Sequence, residues 1–279
     1  MSKGIYNGSN LNIRKQVNMT YVIAVSNEKG GVAKTTTTLS LGAALAEQGF
    51  QVLLVDLDAQ ANLTLALGFE PGGSVLTSSD VLLENVPLEN VWQKSDIQGL
   101  ELVPSGKKIE RAEQLLPIHL NYATRLADAI IASQPMKYDF VLIDCPPALG
   151  AVTLNALNAA NLLIVPTQAE YFSAYALRNM MSLVRKVRME DNPALAYRIL
   201  ITMLDRRNRS HRTIQSQLEN TFGDGLFKSL IEVDTKLRES PIVGLPITEY
   251  QSNTRGAEQY RILAQELVEY VKETNQQPS

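Results

Sequence analysis

The residues best suited to chemistry run consecutively from Glu28 through Lys29, Gly30, Gly31, Val32, Ala33, Lys34 and Thr35 to Thr36. They follow an apolar run, Tyr21–Val25, and open a stretch of helical composition that ends near Gly49. A strand, a glycine turn and Lys-Thr at a helix start can wrap a phosphate chain. Main-chain N–H groups point inward, and the helix N-terminus adds partial positive charge. The spacing departs from the usual G-x-x-x-x-G-K-[ST] loop, with Glu28 at the first glycine position and Ala33 at the second. Lys34 is expected to reach the β- and γ-phosphates and the Thr35 hydroxyl to ligate Mg2+. Lys29 is an extra lysine near the loop's start, which makes the loop more specific than an ordinary nucleotide motif. If Ala33 sits at a position of positive φ, its Cβ strains the loop.

Two carboxylates, Asp56 and Asp58, follow a second apolar run, Val52–Val55. At i and i+2 near a strand end they can face one side. Beside a phosphate and a metal, their use is to orient an attacking water and hold the metal shell. A third carboxylate, Asp144, ends the run Phe140–Ile143, the pattern of a hydrophobic strand with a metal-directed acid. Pro146 and Pro147 stop that strand. Cys145, the only cysteine, has no histidine near it in sequence and reads as a small core filler. It also excludes a disulfide framework or a cysteine-cluster metal site within one chain.

These groups need elements to hold them. Further apolar runs are Leu100–Val103, Leu162–Val165, Ile199–Met203 and Phe227–Ile231. Helical patterns cover Lys34–Gln48, Ile109–Ser133, Val152–Ala159, Ser173–Met189, Ser210–Phe222 and Thr254–Glu273, while Pro71–Ser79 reads as a loop. Near-continuous apolar strands separated by helices mean an α/β fold: a doubly wound, mostly parallel sheet with helices on both faces. Its ligand belongs at the carboxyl ends of the strands, where the phosphate loop falls.

A chain of 279 residues can bury one substantial core. Residues 1–20 are polar and aperiodic, which reads as a flexible arm, residues 21–273 form the folded domain, and residues 274–279 are a polar tail. No apolar run approaches the ~18 residues that span a membrane, and the N-terminus lacks a secretory pattern; a cytoplasmic location is expected. Net charge is −3, so nothing global announces nucleic acid. Between Arg185 and Arg212, however, eight basic residues face three acids, which allows a local basic face.

The motifs Lys-Gly-Gly-Val-Ala-Lys-Thr-Thr (29–36), Asp-Leu-Asp-Ala-Gln-Ala-Asn (56–62) and Asp-Cys-Pro-Pro (144–147), in this order, resemble those of the ParA/Soj partition ATPases of the deviant Walker A (MinD/ParA) superfamily. Val165–Tyr171, Ser240-Pro241 and Gly256-Ala257-x-x-Tyr260 add to the likeness, which runs from about Val22 to Val271. The resemblance implies an ATPase using ATP and Mg2+, sandwiched as an ATP-bound homodimer. Lys29 would then cross to the twin's phosphates in the manner of an arginine finger. By motif position Asp58 orients the hydrolytic water, Asp56 supports the magnesium shell, and Asp144 holds Mg2+ through water. Adenine is placed near Ile231–Asp234. The likeness also implies nucleoid association through DNA binding without sequence preference, for which Arg206, Arg207, Arg209, Arg212, Lys236 and Arg238 are candidates. A ParB-like or other cargo adaptor would stimulate hydrolysis. A membrane-cycling MinD-type role is disfavoured because the chain's end, from Glu266, is acidic to neutral and not a basic amphipathic helix. An organelle-positioning ATPase and a slow ATP-switch scaffold remain as alternatives.

Overall fold

The computed structural model describes residues 20–71, 75–170 and 173–276; nearly all of the expected N-terminal arm lies outside them. The strands are β1 (Tyr21–Val25), β2 (Val52–Asp56), β3 (Gln93–Lys94), β4 (Leu100–Val103), β5 (Phe140–Asp144), β6 (Leu162–Gln168), β7 (Ala196–Leu204) and β8 (Leu226–Glu232). They form one sheet in the order β3-β4-β2-β5-β1-β6-β7-β8. Every pairing is parallel except that of β3 with β4.

The helices are α1 (Lys34–Glu47), α2 (Asn62–Ala66), α3 (Ser78–Glu84), α4 (Ile109–Leu115), α5 (Arg125–Ala132), α6 (Ala151–Ala159), α7 (Ser173–Glu190), α8 (Arg209–Phe222), α9 (Thr235–Val243), α10 (Ile247–Tyr250) and α11 (Arg255–Gln276). The central strands are continuously apolar because both faces are covered. Alternate residues divide between two cores: Val22, Ala24, Leu53, Val55, Val141 and Ile143 pack with α6 and α7. Ile23, Val25, Leu54 and Leu142 pack on the other face with Leu39 and Leu41 of α1 and with Tyr260 and Leu263 of α11. The doubly wound expectation therefore holds.

Three local expectations need correction. The helix expected over Ile109–Ser133 is two helices, α4 and α5, parted by a 3₁₀ turn over Leu116–Ile118. Pro117 in that turn has no N–H to continue the helical hydrogen-bond ladder. The loop expected over Pro71–Ser79 ends early: Ser78 and Ser79 belong to α3, where the Thr77 N–H donates to Asp80 Oδ2 at 2.7 Å in a capping box. Lastly, α11 runs to Gln276, into the stretch expected as a tail.

Candidate nucleotide site

Strand register builds the site. β1 lies between β5 and β6, and β5 between β1 and β2. Asp144 is paired in register with Val25 on one side and Asp56 on the other. The loop after β1 and the two strand-end carboxylates therefore meet at one point on the sheet's carboxyl edge.

The loop has the shape its glycines and lysines suggest. Gly31 has φ +72°, as a glycine can at no steric cost. Ala33 has φ +67° and ψ +35°, left-handed and directly before α1. Its carbonyl accepts the first intrahelical bond, from Thr37 N–H at 2.9 Å. The N–H groups of Lys34, Thr35 and Thr36 precede that bond and are the orphan donors of a helix start. Lys34 is buried, and its Nζ donates to the Lys29 carbonyl at 3.2 Å. Burial pulls its ammonium below lysine's ordinary value, against the opposing pull of the Asp144 and Asp58 carboxyl groups. The Thr35 hydroxyl donates to Asp144 Oδ2 at 2.6 Å. Asp144 is fully buried; burial and the neighbouring Asp56 push its carboxyl well above the usual range, outweighing the Thr35 bond and Lys34. A cation at such a carboxylate restores its ionised form.

Asp56 is tied into the protein through both of its oxygens. Its Oδ1 accepts the Asp58 N–H at 3.0 Å, and its Oδ2 accepts the Thr64 N–H at 2.9 Å and the Thr64 hydroxyl at 2.7 Å. Burial pushes its carboxyl up to about 6, opposed by the bonds from Thr64 and Asp58. With both oxygens engaged by protein donors, it is the post on which the Asp58 loop hangs. Asp58 itself spends Oδ1 on the Gln60 N–H at 3.0 Å. Its Oδ2 has no protein partner among the described residues, which leaves an acceptor for water.

Other segments brace the loop, and the sequence reading assigned them no role. Gln168, at the end of β6, donates to the Gly31 carbonyl at 3.0 Å, and Thr202 of β7 donates to the Val32 carbonyl at 3.1 Å. Asn179 of α7 holds both oxygens of Glu28, at 2.9 and 3.1 Å. Lys29 Nζ rests 2.5 Å from Glu170 Oε2 and 3.1 Å from Gln168 Oε1. The available signal was modest: polar residues closing an apolar strand.

Beside the loop lies a cavity of about 220 Å³, lined by Ala33, Thr36, Met203, Ile231, Val233, Asp234 and Tyr260 among others. That is below the roughly 300–1,000 Å³ of a whole-ligand site, so it suits the base and ribose of a nucleotide. The adenine expectation fell on this wall. Asp234, however, is committed: Oδ1 caps α9 through the Lys236 N–H at 2.9 Å, and Oδ2 accepts the Gly256 N–H at 3.0 Å. Arg238 also lines this cavity.

The remaining basic candidates are distributed over three segments. Arg206 pairs with Glu232 at 2.7 Å, Arg207 with Asp205 at 3.1 Å, and Lys236 with Glu239 at 2.6 Å. Arg209 and Arg212 are in the first turn of α8. Arg206, Arg207 and Arg255 line a recess that shares Glu232 and Val233 with the base cavity. Arg255 was not among the sequence candidates. Cys145 is buried, as a core filler should be, and burial lifts its thiol far from reactive thiolate.

A hydroxyl and buried carboxylate at a helix head, a buried lysine and inward N–H groups fit a magnesium-bound triphosphate. Site and fold define a phosphate-loop nucleoside triphosphatase. A family model described as an AAA domain matches residues 20–197. The chain is 36% identical over 247 residues to the sporulation initiation inhibitor protein Soj of Bacillus subtilis, covering 88% of this chain and 97% of that protein. It is 35% identical over 249 residues to the chromosome partitioning protein ParA of Caulobacter vibrioides, covering 88% and 93%. Among solved structures, cobyrinic acid a,c-diamide synthase from Mycobacterium smegmatis with bound ATP analog and magnesium matches with TM-score 0.80 and 33% identity, covering 94% and 99%. The chain belongs to the ParA/Soj-type partition ATPases of the MinD/ParA superfamily.

Proposed function

We propose that this protein is an ATP-hydrolysing partition or positioning protein that pairs with a second copy when ATP-bound. The pair binds DNA without sequence preference and moves a cargo, a plasmid or chromosome, through a partner protein that stimulates hydrolysis. The observation that carries this reading is the presence of two lysines in one phosphate loop. Lys34 stands at the helix head and serves the chain's own phosphates. Lys29 stands at the rim, its side chain 26% exposed, beside an open recess lined by Glu28, Pro147, Leu149 and Tyr175. A lysine placed there can serve a phosphate chain outside its own protomer.

The division of labour follows. N–H groups of the Gly30–Thr36 loop cradle the phosphates, and Lys34 neutralises them. Thr35 and Asp144 hold Mg2+, which when bound offsets charge on the phosphate oxygens. Asp58, fixed through its own N–H by Asp56, orients water for in-line attack. Lys29 of the second copy stabilises charge that develops during transfer. The basic residues Arg206, Arg207, Arg209 and Arg212, with Lys236 and Arg238, supply phosphate contacts to DNA. Pairing doubles those contacts and makes binding steep in salt. No helix among the described residues is long and apolar enough to cross a membrane.

The test is sedimentation with a non-hydrolysable ATP analogue, alone and with random-sequence duplex DNA. A dimer that binds DNA, and releases it as salt rises, is expected. Single copies throughout would overturn the reading.

A further inference from the structure

The Lys29 side chain is not waiting free for a second copy. Among the described residues it is held by Glu170, at 2.5 Å, and by Gln168, at 3.1 Å, both just beyond or at the end of β6. Its main chain is fixed independently: the N–H donates to Asn27 Oδ1 at 3.0 Å and the carbonyl accepts from Lys34 Nζ. Only the flexible four-carbon stem has to move for the ammonium to change partners. Glu28, the adjacent acid, does not compete, because both its oxygens lie on Asn179.

We propose that Glu170 is a positioning residue that holds Lys29 on its own chain, in competition with the second copy's triphosphate, and so sets the threshold for pairing. This rests on the reading above, in which Lys29 crosses between copies. While Glu170 holds it, the ammonium is paired with a carboxylate and delivers little net charge to another anion. A state that must be given up lowers apparent affinity by the fraction that is competent. Glu170 is 48% exposed, so the pair is a surface one, worth roughly two- to fivefold. A symmetric pair must open two such contacts. The pairing constant then shifts by the square, about 4- to 25-fold. Gln168 adds a second restraint and also holds the Gly31 carbonyl, so the lysine's rest position is tied to the loop's own shape.

Glu170→Gln tests this, since it removes the charge and keeps the size. Pairing is measured by sedimentation with a non-hydrolysable ATP analogue at about 50 and 300 mM salt, beside Lys29→Ala and the double variant. ADP affinity, set by Lys34 and Thr35, is followed as a separate readout. The proposal expects Glu170→Gln to tighten pairing about 4- to 25-fold at low salt and less at high salt. It expects no effect of Glu170→Gln in the Lys29→Ala background, and ADP affinity unchanged within about twofold. If Lys29→Ala abolishes pairing but Glu170→Gln leaves it unchanged or weakens it, the competition is refuted and the crossing lysine stands. If Lys29→Ala pairs like the natural chain, the crossing itself fails and takes this proposal with it.

Discussion

Thr35 and Asp144 are joined hydroxyl to carboxylate at 2.6 Å, which ties the first turn of α1 to the end of β5. Thr38, one turn further, donates to the other Asp144 oxygen at 3.4 Å and to the Lys34 carbonyl at 3.1 Å. The helix head is thus pinned over the sheet's central carboxyl edge, and Lys34, directly before Thr35, is held by the same contacts through its carbonyl. Lys34→Ala should remove nucleotide binding by calorimetry while leaving the fold intact. Loss of a charged hydrogen bond to phosphate amounts to about 2 kcal/mol or more, over tenfold in affinity. Unchanged ATP affinity would remove the loop from its assigned role.

The left-handed Ala33 gives a second expectation. A Cβ in that region costs roughly 1–2 kcal/mol, a penalty glycine escapes. Ala61 (φ +52°), before α2, and Met203 (φ +53°), on the base cavity, also have positive φ, whereas the two such residues elsewhere, Asn85 and Asn121, are asparagines, which tolerate it. Ala33→Gly should stabilise the protein by about 1 kcal/mol, or roughly 2 °C in a thermal melt. A lower melting temperature would mean that the methyl group's packing outweighs the strain.

Much of this was legible beforehand, for a physical reason. Strands buried on both faces announce themselves as apolar runs, so β1, β2, β4 and β5 were found within a residue; Asp56 and Asp144 close two of them because a carboxylate ends an apolar run. The phosphate loop, Asp58 and Asp144 were legible because each lies in a short contiguous motif directly after an apolar run, although Asp144 meets Thr35 across 109 residues. Gln168 was not: it reaches the Gly31 carbonyl across 137 residues, and only the β1–β6 pairing brings them together. The Thr77–Asp80 capping box could have been read from sequence, but the surrounding Pro, Gly and Ser residues masked it.

Glu113 and Gly150 form another relationship with consequences. Glu113 of α4 accepts the N–H groups of Ala151 and Val152 at 2.8 and 3.0 Å, capping α6, whose N-terminus follows the loop that leaves Asp144. Cβ on residue 150 would lie 1.5 Å from Glu113 Oε1, so a side chain there displaces the carboxylate from its present place. Gly150→Ala should expel the carboxylate and cost about 1–3 kcal/mol, measured by urea unfolding. Glu113→Gln, which keeps one acceptor, should cost less. Equal losses would show that the cap is not what Gly150 makes room for.

Arg206 and Arg207 are both exposed; the Arg207 pair with Asp205 is a weak surface one, whereas Glu232, the partner of Arg206, is largely covered. Glu232 keeps Arg255 at 2.8 Å if Arg206 goes, so no buried charge is stranded. Replacing both arginines with alanine should spare basal ATPase activity and weaken DNA binding. With four contacts removed per pair, the salt slope should fall by about 3–4, at roughly 0.9 per phosphate. A filter-binding series across salt reads this directly; an unchanged slope would put the DNA contacts elsewhere.

Asp58 provides the sharpest separation between binding and turnover. Its N–H is fixed by Asp56 and its Oδ1 caps Gln60, while Asp56 keeps Thr64 at 2.7 Å whatever stands at position 58. Asp58→Ala therefore leaves the loop's main anchor in place and removes Oδ2, an acceptor with no protein partner among the described residues. Loss of a general-base or water-orienting group lowers turnover by about 10²–10⁴-fold, while Lys34, Thr35 and Lys29 continue to bind the triphosphate. The variant should accumulate as an ATP-bound pair in light scattering and release no phosphate in a coupled assay. Hydrolysis at the natural rate would show that water is oriented by another group, and a chain that stays single with ATP would show that Asp58 serves pairing before it serves chemistry.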